Sequence, residues 1–141
     1  MRVKCLYNTL NDNGSCYNRK FHSSNENNYL FLEENKLYLV MGIIYGINEL
    51  SFMIDVQRSV YDCPYQLFEI VDNNIPPDWK LGLFEKSDLY ENIISIIGYK
   101  ELVEVEKSYL DLYEGEENAL LTYFKRKIEL EKYYEDLELL K

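Results

Sequence analysis

The sequence predicts an α+β fold in which a small antiparallel β-meander, or small barrel, is followed by two C-terminal α-helices. Three observations predict it. Between Lys36 and Phe84, four apolar segments are separated by turn-rich breaks and close on Ile75-Pro76-Pro77-Asp78-Trp79. After Glu85 the apolar spacing changes to that of helices. The 141 residues are 47% apolar and 15% aromatic, enough to bury one core, and no linker interrupts them. The expectation is one domain over residues 1–141, mainly β over 1–84 and mainly α over 85–141.

Val3, Cys5 and Tyr7 alternate with Arg2, Lys4 and Leu6, predicting a short first strand. From Asn8 to Asn28 come seven asparagines, three serines and a glycine. Such side chains bond their own backbone, which predicts a long loop. Leu37 to Tyr45 is apolar on both faces, as expected of a covered strand, with a bend at Gly42. Gly46-Ile47-Asn48-Glu49 supplies a turn, and Leu50, Phe52, Ile54 and Val56 alternate with Ser51, Met53 and Asp55, so the pair reads as a hairpin. A looser connection from Arg58 to Pro64 leads to a strand at Leu67–Val71. Trp79, Leu81 and Leu83 alternate with Lys80, Gly82 and Phe84 in a last strand. Leu102, Val105, Tyr109 and Leu112 or Tyr113 stand at helical spacing between Tyr99 and Tyr113, and Gly115 follows as a terminator. Glu116 and Glu117 suit the positive end of the final helix, whose apolar stripe reads as Leu120, Leu121, Phe124, Ile128, Tyr134 and Leu137.

The net charge of −10 and pI near 4.6 oppose nucleic-acid phosphates and anionic lipid, and favour a basic partner. No signal-peptide core follows Met1-Arg2-Val3-Lys4-Cys5, and the longest nearly unbroken apolar run, Leu37 to Ile47, is too short to span a bilayer. Three cysteines, Cys5, Cys16 and Cys63, cannot all pair within one chain and read as free thiols of a reducing cytoplasm. With His22 they form the one conceivable metal set, but the ligands lack the close pairs of structural zinc sites, so no metal is expected. A Cys16–His22 nucleophile and base has no visible orienting group, and His22 reads as a solvated loop residue. Gly42 and Gly46 do not open a helix, so no phosphate loop is present. Fourteen tyrosines could stack nucleic acid, yet the only dense basic cluster, Lys125-Arg126-Lys127, reads as a solvated helix face. No catalytic residue and no cofactor are expected.

The stretch from Glu101 to Glu117 carries Glu101, Glu104, Glu106, Asp111, Glu114, Glu116 and Glu117 against the single base Lys107, a net −6 in seventeen residues. With the interleaved Tyr109 and Tyr113, it is the candidate partner-binding surface: Glu101, Glu104, Tyr109, Asp111, Tyr113, Glu114, Glu116 and Glu117. The plain alternative is a solvated acidic helix face with both tyrosines packed inward.

Lys36-Leu-Tyr-Leu-Val40, Phe52-Met-Ile-Asp55, Tyr61, Pro64, Leu67-Phe-Glu-Ile-Val-Asp72, Ile75-Pro-Pro-Asp-Trp79 and Gly98-Tyr-Lys-Glu-Leu-Val103 together resemble a group of small bacterial proteins. These are largely uncharacterised and look like SH3-like barrels with helical additions. The resemblance covers residues 36–135 and leaves the asparagine-rich segment outside. Proteins of this kind include immunity proteins that neutralise a toxin delivered between neighbouring bacteria. The resemblance therefore implies a cytoplasmic protein that occludes a toxin domain, with a basic domain as partner, no nucleic acid and no membrane. The other reading is a barrel protein that binds a peptide or small ligand between barrel and helices, with Trp79, Tyr45 and Phe68 as candidate lining residues.

Overall fold

A computed structural model describes residues 1–21 and 27–140. In chain order the strands of the first half are β1 (Arg2–Cys5), β2 (Thr9–Leu10), β3 (Cys16–Tyr17), β4 (Asn27–Asn28), β5 (Leu37–Leu39) and β6 (Gly42–Gly46). They continue as β7 (Leu50–Val56), β8 (Ser59–Pro64), β9 (Phe68–Asp72), β10 (Lys80–Leu83) and β11 (Ile93–Gly98). Three helices follow, α1 (Lys100–Glu104), α2 (Ser108–Tyr113) and α3 (Glu117–Leu139). The ladders form three antiparallel sheets, in the orders β5-β1-β9, β10-β11-β6-β7-β8 and β3-β2-β4. The fold is α+β, and among the described residues no sheet closes on itself. The hydrogen bonding is that of open antiparallel sheets; of the meander or barrel expected, the closed barrel is not formed by these ladders.

The reason lies at Val40 and Met41. The apolar run from Leu37 to Tyr45 is not one strand: it divides at these two buried residues, so that β5 pairs with β1 and β6 with β7. The meander is thereby shared between two sheets. One core cluster lies between them, with Val3, Cys5, Tyr38, Phe52, Ile54, Cys63, Leu67 and Phe68. The second lies between the five-stranded sheet and the helices, with Met41, Ile44, Met53, Ile96, Leu102, Tyr123 and Leu130. On the face away from the helices, Tyr45, Leu81 and Leu83 are exposed.

The β6–β7 hairpin, β9, β10 and the left-handed Gly115 (φ 74°) follow the sequence reading. Other elements differ from it. The connection expected from Arg58 to Pro64 is mostly a strand, β8 (Ser59–Pro64), because Gln57 and Arg58 make a tight turn with φ of 50° and 67°. Neither residue type advertises such a turn. The asparagine-rich segment contains β2, β3 and β4 as well as local bonds: Asn8 Oδ1 accepts from Thr9 Oγ1 at 2.8 Å and from Arg19 N at 2.9 Å. His22 lies outside the described residues. β11 falls in the half expected to be helical, yet it is the strand that joins β10 to β6. The helix expected from Tyr99 to Tyr113 is two, broken where Lys107 turns left-handed at φ 64° and Val105 faces solvent.

Helix α3 turns only part of the expected stripe inward, with Tyr134 buried and Leu120, Phe124 and Leu137 packed partly buried against the core. Tyr123, Leu130 and Tyr134 are buried, whereas Leu121 and Ile128 are 62% and 68% exposed. Of the three basic residues expected in solvent only Lys125 is exposed; Arg126 pairs with Glu101, and Lys127 with Asp55 at 2.9 Å.

Gly42 and Gly98 stand opposite each other in the β6–β11 ladder, and Leu102 of α1 fills the notch they leave. A Cβ on Gly98 would come 2.7 Å from Leu102 Cδ2 and 3.3 Å from the Met41 carbonyl oxygen. Leu102 is fully buried and cannot swing clear. Gly98→Ala is expected to lower stability by about 1–3 kcal/mol, measured as a lower urea midpoint at unchanged slope, with Leu102→Val restoring part of the loss in the double variant.

Candidate functional site

Strand β8 and helix α2 bring together residues far apart in the chain. Asp62 pairs with Met53 in the ladder and so faces the helical side of the sheet. Tyr109 and Tyr113 are one helical turn apart on α2, which sets both side chains on one face. Both hydroxyls donate to the Asp62 carboxylate, Tyr109 to Oδ2 and Tyr113 to Oδ1. The rings lie 5.0 Å apart, and Tyr90 meets Tyr109 edge to face at 5.6 Å. Between the tip of the β7–β8 hairpin and α2 runs a surface depression of about 600 Å³, bordered by Arg58, Val60, Asp62, Tyr113 and Leu120.

Burial dominates the electrostatics of Asp62. Loss of water raises its carboxyl, the charge of Glu49 raises it further, and the two tyrosine donors oppose both; the result is pushed up to about 6. Both phenols are pushed up, by burial first and then by the Asp62 charge. The cluster can hold a negative charge in a poorly solvated floor, or take up a proton in mildly acidic solution.

The eight residues expected to meet a partner divide into three groups. Tyr109 and Tyr113 turn their hydroxyls to Asp62, although Tyr113 remains 39% exposed. Glu101 and Glu116 are used within the fold. Glu101 takes a two-pronged bond from Arg126, with Nε to Oε2 at 2.8 Å, and its carboxyl is held below the usual range chiefly by that bond. Glu116 caps α3, accepting from Asn118 N at 3.0 Å and Ala119 N at 2.8 Å. Glu104, Asp111, Glu114 and Glu117, with Glu106, make no ion pair among the described residues. Glu104, Glu106, Glu114 and Glu117 lie at the α1–α2 and α2–α3 junctions, and Asp111 lies within α2.

Asp62 was not among the residues singled out from sequence. The signal was its inward parity with Val60 and Pro64, visible only once Ser59–Pro64 is read as a strand. Of the three lining candidates, Phe68 is in the core between the sheets, Tyr45 is exposed on the face opposite the helices, and Trp79 borders a cavity against α3. The thiols are free; Cys5 and Cys63 are buried and Cys16 half-buried, and burial pushes all three up, Cys5 to about 11. That opposes thiolate chemistry. Among the described residues no group of three or more His, Cys, Asp or Glu could hold a metal ion, and no helix is long and apolar enough to cross a membrane. No protein-family model, curated protein or solved structure matches the chain.

The raised Asp62 has a pH signature. Between its ordinary value of 3.8 and about 6 the folded chain holds this proton and the unfolded chain does not. This group therefore contributes stability that is complete at the acid end of the window and is lost as pH rises through it. Asp62→Asn should remove that fall, so that the difference in urea midpoint between variant and parent shifts in the variant's favour from pH 4 to pH 7. A difference constant across that range would mean that Asp62 titrates as an ordinary carboxylate.

Proposed function

We propose that this chain is a cytoplasmic protein-binding module, and most concretely an immunity protein that neutralises a cognate bacterial toxin domain by covering it. The observation that carries the reading is the set of carboxylates along α1, α2, the junctions that flank α2 and the start of α3 that make no ion pair among the described residues, Glu104, Glu106, Asp111, Glu114 and Glu117. A fold that used its acids only for its own cohesion would neutralise them as it does Glu101. Exposed apolar surface from Val105 at the α1–α2 junction and Leu121 of α3, with the partly exposed Tyr113 of α2, lies in the same helical region. Contact area of that kind within a charged rim is the composition of a protein interface.

The partner this surface fits is a basic domain. Toxin domains that cut nucleic acid are often basic, and a concentrated negative field steers such a partner into encounter. Inhibition is then steric and electrostatic, without turnover. The SH3-like barrel implied by the resemblance belongs to this proposal only as ancestry for the sheet; the binding argument rests on the helices.

The test is association with the basic C-terminal domain of a secreted protein encoded beside this chain. Glu104→Lys, Asp111→Lys and Glu114→Lys together are expected to slow association about tenfold or more at low salt and to flatten its dependence on ionic strength. Stopped-flow fluorescence reads both. Unchanged association rates, or no binding to that domain by the unaltered chain, would reject the reading.

A further inference from the structure

Strand β5 has one paired side and one open side. On the β1 side, the Lys36 carbonyl accepts from Cys5 N at 2.9 Å and Val40 N donates to the Met1 carbonyl at 3.1 Å. The next residue, Met41, donates the other way, to the Met53 carbonyl of β7 at 2.8 Å. Successive residues of a strand send their N–H and C=O groups to opposite sides, so those of Leu37 and Leu39 point as Met41 does, towards β7. No partner meets them there. β7 pairs with β6 and β8 but not with β5, and among the described residues the N–H and C=O groups of Leu37 and Leu39 make no hydrogen bond.

The open side faces a groove of about 570 Å³, bordered by Leu37 and Leu39 of β5, by Asp55 and Val56 of β7, and by Glu131 and Glu135 of α3. Leu37 is 54% exposed, so the edge is reached from solvent. The groove carries three cations and five carboxylates, and most of them are engaged within the fold. Arg2 pairs with Glu138 at 2.7 Å, Lys36 with Glu33 at 3.3 Å and Lys127 with Asp55 at 2.9 Å. Glu131 and Glu135 are the remaining two: both are exposed, they stand one turn apart on one face of α3, and they make no ion pair among the described residues. The two faces beside the open edge differ. Tyr38 belongs to the core between the sheets, and Leu39 packs towards the helices. A strand laid along β5 would therefore turn alternate side chains to the aromatic surface of Tyr38 and to the acidic wall of α3.

We propose that this groove takes an extended, basic segment of a partner protein as an added strand between β5 and β7. Its backbone pairs with Leu37 and Leu39, its apolar side chains lie against Tyr38, and its lysines or arginines reach Glu131 and Glu135. A second copy of this chain is a poor occupant, because a net charge of −10 on each copy opposes their approach at an acidic wall. The proposal is independent of the toxin reading, whose surface is α1, α2 and the start of α3.

The probe is a fluorescein-labelled hexapeptide alternating valine and lysine, titrated into the full chain at physiological salt and read by anisotropy. Saturable binding is expected. The same peptide N-methylated throughout keeps its charges but has no backbone N–H, and is expected to bind about tenfold more weakly or worse. Glu131→Lys with Glu135→Lys, both at exposed positions, should weaken the parent peptide about tenfold. Leu37→Pro removes an outward N–H at a strand edge, where proline is tolerated, and should weaken it too. The variant with Glu104→Lys, Asp111→Lys and Glu114→Lys should bind the peptide as the unaltered chain does. The proposal is overturned if binding does not saturate, if the N-methylated peptide binds equally, or if the α3 variant binds unchanged. It is also overturned if the Glu104, Asp111 and Glu114 variant is the one that loses the peptide, or if the peptide splits a dimer of this chain in sedimentation.

Discussion

The carboxylate of Asp55 is where helix α3 is fastened to the sheet, and the rest of the molecule depends on that attachment. Asp55 sits near the end of β7 with its side chain 9% exposed; Oδ1 accepts from the Tyr123 hydroxyl at 3.0 Å and Oδ2 from Lys127 Nζ at 2.9 Å. Tyr123 and Lys127 are four residues apart, so a single carboxylate grips one face of the helix over one turn. Tyr123 is fully buried, and its phenol is pushed up by burial and by the neighbouring Asp55 charge. A buried ion pair is a weak source of net stability, because desolvation opposes attraction. What it supplies is discrimination among rotations of the helix, since any other rotation leaves Asp55 buried and uncompensated.

Once that rotation is set, the remaining contacts of α3 follow. Arg126, next to Lys127, turns to Glu101 and ties α3 to α1. Leu130 enters the core, and Tyr134 reaches the loop before β10 and supports the Arg2 guanidinium, 5.3 Å from its ring centre. Arg2 in turn joins Asp72 at 3.1 Å and Glu138 at 2.7 Å, linking the end of α3 to the smaller sheet. The groove beside β5 has Glu131 and Glu135 on its helical wall, and the acidic surface includes the first turn of α3. Both candidate sites are therefore consequences of the same docking. They differ in character, one an acidic outer surface and the other a groove with aromatic, aliphatic and charged residues in its lining.

How much of this could be read from the residues is uneven, for physical reasons. The β6–β7 hairpin was legible because Leu50 to Val56 alternates with a period of two and Gly46 marks its turn. β11 was not, because Ile93 to Ile97 is a short apolar run with no alternation, and such a run does not declare its period. The stripe of α3 was legible in part: Tyr134 belongs to it as expected, but Leu121 and Ile128 look more apolar than Tyr123, which takes the inward place. Those tyrosines are the buried residues, and each carries its hydroxyl inside by bonding it to Asp55 or to the Asn74 carbonyl. The acidic stretch was plain in composition, but which acids the fold consumes depends on long-range pairing. Tyr109 meets Asp62 across 47 positions and Lys127 meets Asp55 across 72, distances at which a single sequence carries no pairing signal.

The most direct test of the account is a double-mutant cycle on Asp55 and Tyr123, with Asp55→Asn, Tyr123→Phe and the double variant compared by urea unfolding. If the pair sets the position of α3, the two losses are not additive, and the coupling is about 1–3 kcal/mol. Losses that simply add, within about 0.5 kcal/mol, would contradict the account and leave the docking of α3 to its apolar residues alone.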